Sequence, residues 1–155
     1  MAERFPDDVV AKIGKSPIVG IRAGSGDHRI IGVWVVVVER RVFIRSWSRK
    51  PDGWHATIVD EPRGVAEVAG VQFPVRAIQT RSERLKSAVD RAYEAKYHTP
   101  ASMKYVRDLN RRPSRDTTTE LVPLPARGLR KAAPGRTRRP PSPGRGPRRR
   151  STARS

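Results

Sequence analysis

Positions 30–38, IIGVWVVVV, form the densest apolar run in the chain and are β-branched everywhere except Gly32 and Trp34. Branched side chains lose rotamer freedom in a helix and pack well on a pleated surface, so the run predicts a buried strand. Nine residues are too few to cross a bilayer as a helix. After Glu39 and Arg40, positions 41–47 place Val42, Ile44 and Ser46 on one face and Phe43, Arg45 and Trp47 on the other, which predicts a second strand and a hairpin. The turn is not of the Asn-Gly kind, so the expected connection is a type I turn with a bulge rather than a two-residue primed turn.

Both faces of the first strand are apolar, with Ile30, Trp34, Val36 and Val38 on one and Ile31, Val33, Val35 and Val37 on the other. A small antiparallel sheet ordinarily leaves one face in water. Here the second face needs a cover, either helices outside a closed barrel or a partner subunit.

The flanking segments punctuate regularly. Pro6, Asp7 and Asp8 before Val9, Val10 and Ile13 predict a short helix with acids in its first turn, ending near Gly14 and covering or plugging the barrel. Positions 18–23 predict a strand, and Gly24, Ser25, Gly26 and Asp27 a turn into the central hairpin. GSGD lacks the following helix that a dinucleotide fingerprint requires, so it is taken as a plain turn. Positions 54–60 fit a helical turn or a short strand equally well. Positions 64–69 and 71–80 predict a second hairpin hinged at Gly70, with Pro74 implying an edge strand or a bulge. Thr80 and Glu83 have capping-box spacing ahead of Leu85, Val89, Ala92, Tyr93 and Tyr97, an amphipathic helix. Thr99 and Pro100 predict the N-cap and first position of another helix, carrying Met103, Val106 and Leu109. A last strand is expected over 116–124, stopped by Pro123 and Pro125.

Charge divides the chain. Of the net +18, positions 126–155 supply eleven Lys or Arg and no acid, leaving +7 for the first 125 residues. That Arg/Pro/Gly-rich tail cannot bury enough apolar surface to offset the entropy of ordering it, so it is expected to be disordered. It is either a salt-sensitive clamp on nucleic acid or anionic surfaces, or a solvated extension. No aromatic lies among its arginines, so base stacking is not implied. The start, MAERFPDD, has no apolar stretch of the secretory kind, and a cytoplasmic protein with no membrane association is expected.

The absence of cysteine excludes disulfides, zinc-thiolate sites and thiol nucleophiles. His28, His55 and His98 have no ligand spacing, so no metal site is expected. Single, scattered acids give no support for a triad or a carboxylate pair, and no catalytic residue is assigned. Reactivity in such a domain would come from a bound cofactor. Arg45 and Ser46 at a strand end, with Arg49 and Lys50 in the following loop, compose a phosphate seat, beside which Trp47 and Trp54 can pack an aromatic ring. The plainer alternative is that Arg45 pairs with an acid across the sheet and the indoles are ordinary packing.

Strand VWVVVV, strand RVFIRS, Gly53-Trp54, helix AVDRAYEAKY and closing TTTELVPL, in that order, resemble the bacterial domain-of-unknown-function family 2255 over about residues 9–124. That family is grouped with the flavin-binding split β-barrels related to pyridoxamine phosphate oxidases and deazaflavin-dependent nitroreductases. The resemblance implies an α+β fold, a split β-barrel of about six antiparallel strands with flanking helices over residues 1–125. It also implies a homodimer with FMN or a deazaflavin in a cleft between subunits. On that pattern Arg45, Ser46 and Lys50 would hold the phosphate, Trp54 would flank the ring, and Lys96 and Tyr97 would complete the cleft or support the barrel. His55 stands where the family often has a second aromatic, and Glu39-Arg40 where it usually has Gly. The implied activity is a flavin-dependent oxidoreductase acting on a small molecule, with Arg45→Ala expected to weaken FMN binding by about 1–3 kcal/mol. The alternative is a non-enzymatic basic protein that binds nucleic acid through its tail.

Overall fold

A computed structural model of the protein describes residues 4–26, 28–47 and 53–124. In chain order the elements are α1 Asp7–Lys15, β1 Val19–Ala23, β2 Ile31–Val33, β3 Val35–Val38, β4 Arg41–Ile44, α2 Trp54–Asp60, β5 Arg63–Val68 and β6 Val71–Gln79. They are followed by α3 Glu83–Lys96, α4 Pro100–Leu109, a 3-10 turn at Ser114–Thr117 and β7 Thr119–Pro123.

The run at 30–38 is therefore two strands, not one, and the break falls at Trp34. The sheet order is β2-β1-β5-β6-β7-β4-β3, all antiparallel, so β2 and β3 occupy opposite edges although one residue separates them in sequence. The chain itself joins the two edges and curls the sheet into a nearly closed barrel. Counting the broken strand once gives the six strands expected, and the α+β split-barrel architecture is as the sequence implied.

Alternation continues through the break. Val35, Val42, Ile44, Val19, Ile21, Val75 and Leu121 fill the barrel interior, and α1 closes it with Ile13, behind Phe5. Val36 and Phe43 face outward onto Leu85, Val89, Tyr93 and Tyr97 of α3 and Val106 and Leu109 of α4. The second apolar face of β3 is thus covered by helices of the same chain.

The turn at Glu39-Arg40 differs from expectation. Val38 pairs with Arg41, and both loop residues have positive φ, 54° and 63°, which is a two-residue primed turn without a bulge. Non-Gly residues resist that conformation. Exposed ion pairs anchor the two loop residues: Arg40 with Asp7 of α1, and the Glu39 carboxylate with Arg84 of α3 at 2.5 Å. The second hairpin turns in the same way at Ala69-Gly70.

Smaller departures have local causes. Pro74 lies in β6, an interior strand rather than an edge, but pairing with β7 begins only at Val75–Pro123, so Pro74 has a neighbour on the β5 side alone. The α3 N-cap is Ser82, whose hydroxyl accepts from the Leu85 N–H, whereas the Thr80 N–H is bound to the Thr118 carbonyl. Thr99 and Pro100 start α4 as expected. Residues 54–60 are helical, with Ile58 buried. Asp116 and Thr117 belong to the 3-10 turn, so the last strand is shorter than predicted and lies inside the sheet between β4 and β6. Among the described residues no helix is long and apolar enough to cross a membrane. The expectations for residues 126–155, and for Arg49 and Lys50, fall outside the described residues.

Candidate functional site

Where β2 and β3 part at Trp34, their backbone groups need partners other than each other, since a buried, unpaired peptide group is costly. The C-terminal half of α3 supplies them. The Tyr97 hydroxyl accepts from the Val35 N–H at 3.1 Å and donates to the Pro17 carbonyl at 2.6 Å. Lys96 Nζ donates to the Val35 carbonyl at 2.7 Å and to the Ile13 carbonyl at 3.3 Å, and the Tyr93 hydroxyl reaches the Trp34 carbonyl at 3.4 Å. Positions 93, 96 and 97 share one helix face, which is why a single helix can serve the break. Burial pushes the Tyr97 hydroxyl up to about 12 and pulls the Lys96 amine down to about 8. Of the two roles implied for Lys96 and Tyr97, both make the contacts of barrel support.

Tyr97 also stacks beneath Trp34, with ring centroids 4.1 Å apart and planes within 3°. The edge of Tyr105 from α4 meets Trp34 at 6.3 Å and Trp47 at 5.8 Å. Trp34, Trp47 and Tyr105 border a cavity of about 500 Å³, within the size range of small-molecule sites, while Tyr97 lies behind Trp34 outside the lining. Ile31, Gly32 and Val33 of β2 form one wall. The Arg45-Ser46-Trp47 segment after β4, Gly53-Trp54 at the start of α2, and Tyr105 and Leu109 of α4 form the others. Trp47 is 60% exposed at the mouth.

Three of the four residues singled out for cofactor binding, Arg45, Ser46 and Trp54, thus line one cavity; the fourth, Lys50, lies outside the described residues. Their polar groups are committed differently from the phosphate seat envisaged. The Arg45 side chain has no solvent exposure. Its guanidinium donates to Thr118 Oγ1 at 2.8 Å, Asp90 Oδ1 at 2.7 Å, the Leu109 carbonyl and Asn110 Oδ1 at 3.0 Å each, and the Lys86 carbonyl at 3.0 Å. It also lies over the Tyr93 ring at 5.6 Å. Burial lowers its pKa, and the bond to Asp90 opposes that shift. The group is an internal tie between β4, α3, α4 and the 3-10 turn, and the acid it pairs with comes from a helix rather than from across the sheet. Across the sheet, Arg41 of β4 makes the pair, bidentate to Glu120 of β7 at 3.0 and 2.8 Å.

Ser46 is buried, and its N–H donates to Thr117 Oγ1 at 2.8 Å. Trp54 is half-buried and packs against both the barrel core and the Ala23–Ile58–Ala77 cluster. His55 meets Trp54 edge-on at 5.6 Å and lies 2.9 Å from Gln79 Oε1. Trp34 and Tyr105 are not among the site residues that the sequence predicts. The signal for Trp34 was an aromatic in an otherwise aliphatic run; Tyr105 sat unremarked beside Val106. Among the described residues no group of three or more His, Asp or Glu side chains is gathered as a metal site would need.

A family model described as "Uncharacterized protein conserved in bacteria (DUF2255)" matches residues 9–121. Among solved structures the chain is similar to the crystal structure of the conserved hypothetical protein Rv2991 from Mycobacterium tuberculosis. Identity is 12%, the TM-score is 0.51, and the match covers 79% of this chain and 81% of that one. At that identity the likeness concerns the fold. No curated protein matches.

Proposed function

The chain belongs to the DUF2255 family of uncharacterized bacterial proteins, and on that footing we propose that the cavity beside Trp34 binds a flat, fused-ring cofactor of the flavin class, FMN or a deazaflavin. The observation that carries this is the lining: three indoles and a phenol around about 500 Å³ at the gap in a barrel. Large, rigid aromatic faces bind ring systems with little loss of side-chain freedom. The ring end of a flavin therefore fits the residues present. The phosphate end does not fit Arg45, whose guanidinium already has five protein acceptors; Arg45 instead fixes the wall behind the ligand.

A bound flavin supplies hydride transfer. The chain's own contribution is to position and cover it. Among the described lining residues the only ionisable side chains are Arg45 and Tyr105, so the site is built for orientation and water exclusion rather than proton exchange. A small oxidisable or reducible substrate would enter at the mouth beside Trp47. A second copy of the chain packed over the exposed Ile31, Trp47 and Tyr105 would complete the cleft as a homodimer.

The test is a titration of the full chain with FMN, following quenching of tryptophan fluorescence. Saturable binding with a micromolar or tighter Kd is expected, with the quench reduced in Trp34→Phe. A folded chain whose tryptophans do not respond to FMN or a deazaflavin overturns the proposal.

A further inference from the structure

A phosphorylated ring ligand needs a cation for its tail, and Arg45 is spent. We infer that the anionic arm is held in a second cavity on the other side of Trp54, by Arg29 assisted by His28; this rests on the flavin reading above. The second cavity encloses about 200 Å³ and shares Ile31, Gly53 and Trp54 with the first. A ligand whose rings lie against Trp34 can therefore turn its arm past residues that line both cavities.

The two cavities differ in their polar groups. The smaller one has an apolar floor, Ile21 and Ala23, and His28, Arg29 and Thr57 on its sides. The Thr57 hydroxyl donates to the Gly53 carbonyl at 3.3 Å, so it is not the anion's donor. Arg29 and His28, in contrast, make no hydrogen bond or ion pair with any described residue. Glu61, the acid that follows α2, is occupied by the Ser25 hydroxyl and N–H, which hold its carboxyl below the usual range. An exposed guanidinium whose donors meet no described residue, in the lining of a cavity that shares Trp54 with an aromatic one, matches a phosphomonoester: a planar fork meets two oxygens of a dianion, and an imidazole N–H adds a third bond. The residues flanking Trp54 thus sort a ligand by its two ends, rings on the Trp34 side and phosphate on the Arg29 side.

FMN and riboflavin differ only in that phosphate, which makes them the probe. The full chain and its Arg29→Ala and Arg91→Ala variants are titrated with each by tryptophan quenching at low salt; Arg91 is exposed on α3, away from both linings, and controls for net charge. The wild type should bind FMN about tenfold more tightly than riboflavin. Arg29→Ala should remove that preference by raising the FMN Kd about tenfold, the loss of one charged hydrogen-bond partner, with the riboflavin Kd unchanged. Arg91→Ala should change neither. Equal wild-type affinity for the two flavins, or a preference that survives in the Arg29→Ala/His28→Ala double variant, overturns the Arg29 assignment while leaving the ring site standing. Binding of neither flavin by the folded chain overturns both.

Discussion

The two strands on either side of Trp34 come from one apolar run and end in opposite surroundings. β3 is covered on both faces: Val35 and Val36 are at most 1% exposed, with the barrel core on one side and α3 on the other. β2, an edge strand as β3 is, leaves Ile31 36% exposed on the wall of the aromatic cavity. Hydrophobic composition decides that a segment seeks cover. It does not decide whether this chain or a ligand provides it. On the β3 side the Trp34 carbonyl and the Val35 N–H and carbonyl have partners supplied by α3; on the β2 side the cavity begins. The exposed apolar strand beside three indoles is the surface to which the proposed function assigns the ring end of its ligand.

The sharpest way to break the comparison is at Arg45, which stands behind the cavity on the fixed side. If it is an internal tie, Arg45→Ala leaves Asp90 with one of its two cations, opens a void under Tyr93 and strands several carbonyls. The expected cost is about 3–5 kcal/mol of unfolding free energy, read from urea denaturation, as for other buried pairs that lose one partner. Arg45→Lys should recover only part of this, because one ammonium cannot reach acceptors on α3, α4 and Thr118 together. A variant with unchanged stability and lost FMN binding would instead return Arg45 to the ligand, as the family resemblance implies.

Tyr97 tests the same side with a smaller change. Tyr97→Phe keeps the ring under Trp34 and removes the hydroxyl that serves both the Val35 N–H and the Pro17 carbonyl. A buried N–H without a partner should cost about 1–3 kcal/mol, and hydrogen exchange at Val35 should accelerate more than at Val42, deep in β4. If Val35 exchanges no faster in the variant, the break is not held by this hydroxyl.

What could be read in the sequence follows from which signals are local. The double apolar face, both hairpins, the α3 face and the Thr99-Pro100 start of α4 are written within a few residues of each other, and the structure has them. The break at Trp34 was hidden because Val33 and Val35 keep the alternation of a continuous strand. The primed turn was hidden because its support comes from Asp7 and Arg84, which lie 33 and 45 positions from their partners. The partners of Arg45 lie 41 to 73 positions away, so its residue type leaves a phosphate ligand and an ion pair both open, and its neighbours make it a structural tie. Site chemistry depends on such distant neighbours more than fold class does.

The smallest effect is a matter of protons. Lys96 is half-buried at the break, its donors go to the Val35 and Ile13 carbonyls, and no described carboxylate lies within ion-pair distance. Desolvation lowers its pKa from 10.5 to about 8. Between those two values the unfolded chain holds a proton that the folded chain has released, so stability attributable to this group rises with pH from about 8 to 10.5. Below 8 both states carry the proton, and the burial penalty is felt in full. Partial exposure of the amine keeps the effect modest. Lys96→Met removes the titrating group while keeping an apolar stem along Tyr97, so the wild-type minus variant difference in unfolding free energy should grow in the wild type's favour across that interval. A difference that is flat from pH 7.5 to 10 would mean the amine is solvated, and that the β3 side of the break is more open than its hydrogen bonds imply.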